Sequence, residues 1–341
     1  MRVAVYYSNN DVRLESRPRP SIGAGELLLR IHASGICGSD VMEWYRKPRA
    51  PLVLGHEVAG TVEEVGDGVT GFKIGDRVVT THHVPCNICR YCLTDRHAVC
   101  ETLHSTTFDP GGFSELVRLP SINVERGTFH LPADASFEEG SFVEPLACVV
   151  RAQRLAGVRA GDSVAVLGAG LSGILHILLA RAAGASRIFA TDVSEYRVKA
   201  ACGFGADLAV RADSDVVERV RTANGGRLVD RVLVCAAAQP AMEQALQLVD
   251  GGGTILFFAP LPPGATMELP MHDLWKRGVA IVHSYAGPPA DMRTALELIA
   301  SRRVGVGSLI SHRLGLAETQ EGFRLTAEAQ DSLKVVIDPG R

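Results

Sequence analysis

Four cysteines crowd one short segment: Cys86-Asn-Ile-Cys89-Arg-Tyr-Cys92, then Cys100, in a polar stretch that carries a proline. Four thiolates from one loop can close a tetrahedron around Zn²⁺ and leave no open position, as in a structural rather than a catalytic site. An iron–sulfur cluster uses the same four-cysteine ligation, and free thiols need no metal; structural zinc is the reading adopted. Zinc would staple a loop of little apolar content and contribute to its folding. His82, His83, His97 and His104 surround this loop but are not needed to complete it, and are read as surface or packing residues.

A second pattern is Gly168-Ala-Gly170-Leu171-Ser172-Gly173, which closes an apolar strand and opens a helix. The first glycine permits a tight turn, the second lets the backbone approach a pyrophosphate, and the third lets helix and strand pack closely. An ordinary glycine-rich turn would look the same, but Asp192, at the end of the next strand, stands where a carboxylate would accept hydrogen bonds from an adenosine ribose. It would also repel a 2′-phosphate, so the expected cofactor is NAD rather than NADP. Arg197 is a candidate ribose contact, and Lys199 is read as part of a solvated helix face.

A third set is dispersed: Cys37 in Gly35-Ile-Cys37-Gly-Ser39-Asp40, His56 in Gly55-His56-Glu57, and Glu144 in Val143-Glu144-Pro145. A cysteine after an apolar strand is often a small core residue, and a lone His or Glu is usually a satisfied polar group. Spacing leaves both a shared metal and three unrelated residues open.

Positioning these residues requires two kinds of architecture. Up to about residue 120, short β-type runs are punctuated by Gly and Pro, at 2–7, 26–33, 58–65, 77–81 and 113–119. From about residue 155 strand and helix alternate: strand 163–167, helix 171–183, strand 187–191, helix 196–204, strand 229–235, helix 240–248 and strand 253–258. That alternation predicts an open parallel sheet wound with helices. The last sixty or so residues, with a helix at 290–301, a strand near 309, a helical stretch at 316–327 and a strand at 333–337, are too few for a third domain and are expected to return to the first. The fold class is therefore α/β, with 1–147 and 285–341 forming one β-rich domain and 148–284 inserted as the other.

At 341 residues the chain is long enough for two domains. Hydrophobic residues at 46 % and charged residues at 21 % exclude a largely disordered chain. A net charge of −3 without long runs of one sign gives no footprint for nucleic acid or an anionic membrane, so the expected partner is a small molecule. No apolar run approaches the ~18 to 20 residues of a membrane span, and no leader-like segment opens the chain, so it reads as cytoplasmic. Of the eight cysteines, Cys148, Cys202 and Cys235 are read as buried small apolar residues.

Gly55-His56-Glu57-Val58-Ala59-Gly60 with the run to Gly66, Gly75-Asp76-Arg77-Val78, the four-cysteine loop, Gly111-Gly112-Phe113-Ser114-Glu115 and the Gly168 turn together resemble the zinc-containing medium-chain dehydrogenases. Cys37-Gly-Ser39-Asp40 and Glu144-Pro145-Leu146 are most similar to the polyol, or sorbitol, dehydrogenase branch, with threonine dehydrogenase as a relative. The resemblance implies a GroES-like catalytic domain from both chain ends, an inserted Rossmann domain, a cleft between them, and a homodimer or homotetramer. It implies one catalytic and one structural zinc per chain, with Cys37, His56 and Glu144 as catalytic ligands. Glu57 would be an acidic neighbour that approaches the metal when the site rearranges, and Asp40 the carboxylate that orients the His ligand. Ser39 would be the first proton acceptor.

The chain also departs from that branch. Met42 replaces a relay histidine, Glu43 a substrate-binding tyrosine, and Ser284 a substrate-binding arginine. Glu43, Trp44 and Ser284 are the candidate substrate-pocket residues, with a solvated helix face as the alternative for Glu43 and core packing for Trp44. Lys334 is read as an ordinary residue, with a cofactor contact as the alternative. The expected function is a zinc-dependent oxidoreductase passing a hydride between NAD and a secondary alcohol such as a polyol, sugar alcohol or cyclitol. The rivals are a zinc-independent NAD(P)H quinone or enone reductase and a non-catalytic NAD-binding protein of the same fold.

Overall fold

The computed structural model describes residues 1–212 and 215–341. They form two compact units, Met1–Ala147 with Ala286–Arg341, and Cys148–Tyr285.

In the second unit six parallel strands stand in the order Leu208–Arg211, Arg187–Asp192, Ser163–Leu167, Val229–Val234, Val249–Phe257 and Ala280–His283. Numbered within the unit this is 3-2-1-4-5-6, the order of a Rossmann sheet. Ser163–Leu167 is central and buried along its whole length, which is why it reads as an unbroken apolar run rather than an alternating one. The core below it joins Leu167, Phe189, Val232, Val234, Leu248 and Ile255. The two outer strands were not among the sequence expectations; both are short and of mixed polarity, as edge strands commonly are.

In the first unit the sheet runs Ile310–Gly315, Lys334–Asp338, Leu27–Gly35, Glu57–Val65, Arg77–Thr80 and Thr128–His130, with Leu116–Leu119 also paired to Leu27–Gly35. Both chain ends enter it, since Val336 and Ile337 lie antiparallel to Gly35 and Ser34. A smaller sheet of Arg2–Ser8, Asp11–Ser16 and Leu52–Val53 packs Tyr6 against Phe113 and Phe323. The expected strand at 113–119 begins only at Leu116, because Phe113 is drawn into that core. Helix Val143–Ala156, not anticipated from the sequence, carries Glu144 in its first turn. Cys202 is exposed rather than buried, on helix Glu195–Gly203, while Cys148 and Cys235 are half-buried.

His176, on helix Leu171–Ala182, is fully buried beside the Gln153 amide, and burial lowers its pKa to about 3. The unfolded chain takes up this proton below pH ~6.5 and the folded chain does not until about 3, so stability falls as pH drops through that window. Each such group contributes a slope of about 1.4 kcal/mol per pH unit. Denaturant unfolding between pH 6.5 and 4 is therefore expected to lose that slope in His176→Gln; an unchanged slope would refute the assignment.

Candidate active site

The register of two strands assembles the metal donors. Gly35, at the end of Leu27–Gly35, pairs with Glu57, at the start of Glu57–Val65, so Cys37 and His56 follow from neighbouring strand ends. Sγ of Cys37, a ring nitrogen of His56 and a carboxylate oxygen of Glu57 all lie within 4.8 Å of one another. A turn holds Cys37 in place: Asp40 N donates to Cys37 O at 2.9 Å, and Cys37 N donates to Asp40 Oδ2 at 3.1 Å. The other Asp40 oxygen is 3.5 Å from His56 Nδ1, the place of a carboxylate that orients a ligand histidine. Burial opposes charge on His56, but Asp40 and Cys37 outweigh it and raise its pKa well above 6.5. Burial likewise opposes charge on Asp40, and His56 and Arg46 overcome it and lower its pKa. The surroundings thus favour positive charge at the point where a cation would sit.

Glu57 and Lys334 form a fully buried ion pair, with Glu57 Oε2 taking a hydrogen bond from Nζ. Lys334 also donates to Ile36 O at 3.0 Å. Glu57 Oε1 is buried without a hydrogen-bond partner, which leaves one anionic oxygen for a metal. A Cβ at Gly35 would strike Glu57 Oε2 and Lys334 Nζ, so a larger residue there would displace the ion pair. Lys334 is therefore a buried member of the site and not an ordinary strand residue. Sequence reasoning missed this because its partner is 277 residues away.

Glu144 is grouped not with Cys37 and His56 but with His82 and His83, whose donor atoms lie within 4.8 Å of its carboxylate. The His82 ring also meets the His56 ring, at 4.6 Å between centroids. These two histidines were expected at the surface or in packing around the cysteine loop; they belong instead beside the metal donors. Burial lowers His82 well below 6.5 and His83 to about 3, so both imidazoles are neutral near pH 7. Nδ1 of His82 is buried without a hydrogen-bond partner. His97 and His104 stay on the cysteine loop, half-buried and exposed.

Ser39 N donates to Cys37 Sγ at 3.4 Å, and Ser39 Oγ accepts from Arg46 at 2.9 Å. Glu43 Oε1 accepts from Asn9 N at 3.2 Å, which ties this side chain to the fold and sets aside a freely solvated face. Trp44 is 41 % exposed, which excludes the core alternative. Glu43, Trp44, Lys47 and Pro48 line an open cavity of about 400 Å³. Ser284 lies in the other unit, its N bonded to Phe257 O and its Oγ buried without a partner.

The thiols of Cys86, Cys89, Cys92 and Cys100 converge, with Sγ–Sγ distances of 3.5, 3.7 and 3.9 Å. A tetrahedral Zn–S bond of about 2.3 Å requires edges of about 3.8 Å, whereas a disulfide requires about 2.05 Å, so the set fits a metal and not a disulfide. Cys86 N and Cys89 N donate to sulfurs of the set, as suits thiolates. Burial raises the Cys100 thiol, but the N–H groups of Cys86 and Leu103 and the neighbouring thiols more than offset it and bring it to about 6.

In the Rossmann unit Gly168 adopts φ +97°, and a Cβ at Gly173 would run into the Gly168 carbonyl oxygen. Helix Leu171–Ala182 starts at Gly170 with no side chain capping it, leaving its first N–H groups, at Leu171, Ser172 and Gly173, for a phosphate. Asp192 Oδ2 accepts from Ala169 N at 2.8 Å and Oδ1 from Ser194 N at 2.9 Å, so this carboxylate also braces the turn. Arg197 brings Nη1 to 3.4 Å from the Cβ position of Gly170, and its Nε is buried without a partner. Lys199 is exposed, 3.9 Å from Glu195.

Two tests follow from this geometry. Lys334→Met leaves a buried carboxylate unpaired and is expected to cost about 3–5 kcal/mol in denaturant unfolding, with Lys334→Arg costing less; an equal loss in both would point to packing rather than charge. Cys92→Ser is expected to lose one zinc equivalent by elemental analysis and to melt at lower temperature, and full zinc retention would refute the four-thiolate site.

Comparison with known proteins agrees with these features. Residues 23–128 match the alcohol dehydrogenase GroES-like domain, and residues 173–301 match the zinc-binding dehydrogenase family. The chain is 30 % identical to a sorbitol dehydrogenase from Gallus gallus, over 98 % of this chain and 95 % of that one. It is 33 % identical to an L-threonine 3-dehydrogenase from Bacillus velezensis, over 96 % and 95 %. A solved zinc-binding dehydrogenase from Sinorhizobium meliloti bound to NADP superposes with a TM-score of 0.89 at 28 % identity, over 99 % of both chains. With the GroES-like and Rossmann folds matched along nearly its whole length, the chain belongs to the zinc-containing medium-chain alcohol and polyol dehydrogenase family.

Proposed function

We propose that this chain is a zinc-dependent dehydrogenase that oxidises a polyhydroxylated secondary alcohol with NAD, giving a carbonyl compound, NADH and a proton. The observation that carries the reading is the buried Glu57 Oε1, without a partner, beside Cys37 and His56. Zinc, when bound, supplies a Lewis acid for the alcohol oxygen, and NAD takes the hydride. Cys37, His56 and Glu57 hold the metal, Asp40 orients His56, and Glu144 is a further carboxylate on the side of His82 and His83. Glu57 is proposed as the third ligand, in the place the family resemblance gives to Glu144. Ser39 contributes the hydroxyl that meets the substrate oxygen.

His82, neutral and with a free Nδ1, suits a hydrogen bond to a second substrate hydroxyl, which supports a polyol over a simple alcohol. The residues 1–147 and 285–341 would form the catalytic domain, with residues 148–284 binding NAD. In the latter, the N–H groups at the helix start and Arg197 bind the dinucleotide phosphates and ribose, and Asp192 disfavours a 2′-phosphate. Cys86, Cys89, Cys92 and Cys100 hold the structural zinc. The reading extends to a cytoplasmic homodimer or homotetramer with no nucleic-acid partner. No described helix is long and apolar enough to cross a membrane.

NADH formation by zinc-replete protein across linear polyols, cyclitols, amino alcohols, threonine and simple secondary alcohols tests the reading. Turnover is expected on a polyol or cyclitol, and Cys37→Ala or His56→Ala is expected to abolish it while NADH binding, followed by fluorescence, survives. Turnover that persists without either side chain would exclude the zinc mechanism, and a wild type that binds NADH and zinc but oxidises nothing would leave a binding protein.

A further inference from the structure

We infer that Arg46 is a positioning residue that fixes the Ser39 hydroxyl where it meets the substrate oxygen. The inference rests on the dehydrogenase reading above. Arg46 ends the short helix Glu43–Arg46 and turns back onto the loop that follows Cys37. Its Nε donates to Ser39 O at 3.0 Å, and its Nη2 donates to Ser39 Oγ at 2.9 Å and to Asp40 Oδ1 at 3.3 Å. One edge of the guanidinium, with three of its N–H groups, is therefore committed to two adjacent residues. The side chain is only 12 % exposed and lies 4.6 Å over the Tyr45 ring, so this geometry is held from behind.

A serine hydroxyl has one hydrogen and two lone pairs, and a guanidinium has hydrogens only. The Arg46 bond occupies one Ser39 lone pair, and no proton can pass from Ser39 to Arg46. Met42, in the same turn, offers no titratable group either. One lone pair and the hydrogen of Ser39 Oγ remain for the substrate oxygen, and a cationic donor on Oγ polarises the hydroxyl and strengthens it as a donor. It stabilises that oxygen as negative charge develops there. The step balances without a relay through Arg46: the alcohol proton would leave to solvent, the hydride of the carbinol carbon would pass to NAD, and Arg46 and Ser39 would end in the protonation states in which they began. Through Asp40, the same Nη2 also ties Ser39 to the carboxylate beside His56.

The test is a double-mutant cycle on kcat and KM with wild type, Arg46→Gln, Ser39→Ala and the pair, each checked for zinc content and melting temperature. Arg46→Gln is expected to lower kcat about tenfold or more with KM within about twofold, Arg46→Lys to recover part of the loss, and Arg46→Gln to cost clearly less in the Ser39→Ala background, where only its bonds to Ser39 O and Asp40 remain to be lost. An unchanged kcat in Arg46→Gln, or the same loss in both backgrounds, overturns the inference. If Arg46→Gln does not fold, the same cycle with Arg46→Lys decides between the same outcomes. A wild type without turnover overturns the dehydrogenase reading and this inference together, and is distinct from a failed cycle on an active wild type, which overturns this inference alone.

Discussion

A buried ammonium must meet a buried carboxylate, and the first unit is organised around that requirement. Lys334 and Glu57 are both inaccessible to water and 277 residues apart, so each is tolerable only where the other stands. Their pairing requires the last strand of the chain to lie beside Leu27–Gly35, fills the space a side chain at position 35 would need, and uses the Ile36 carbonyl as a further acceptor. It also consumes only one oxygen of Glu57. The other remains anionic, buried and beside Cys37 and His56.

Around that point the charges alternate. Donors at Cys37 and Glu57 face the place for a cation, and positive side chains stand behind the carboxylates, Lys334 behind Glu57 and Arg46 behind Asp40. Each cation fixes the direction of a carboxylate without occupying the donor set itself. His82 and His83 do the opposite: burial keeps them neutral, so they supply lone pairs without adding charge.

The other two sites are built more locally. The four-cysteine lobe takes all its donors from one segment, and Arg126 anchors it by donating to Cys86 O at 2.7 Å. The dinucleotide turn draws on one strand–turn–helix unit, with Asp192 from the adjacent strand holding its backbone. Neither depends on contacts between the two ends of the chain.

That difference in range separates what could be read from sequence and what could not. The residue order alone determined the Rossmann alternation, the four-cysteine set and the glycine turn with Asp192, because period, spacing and local turn chemistry carry those signals, whereas Cys37, His56 and Asp40 are joined only through the family resemblance. Only the tertiary structure decided that Glu57 stands with Cys37 and His56 while Glu144 stands with His82 and His83, since strand register places Glu57 and the first turn of helix Val143–Ala156 places Glu144. It likewise decided that Lys334 and Arg46 belong to the site, that Glu43 braces a turn, and that Cys202 faces water. The physical reason is that desolvation acts on positions in space. A lysine, an arginine or a histidine acquires its role from what excludes water around it and from which charge remains within reach.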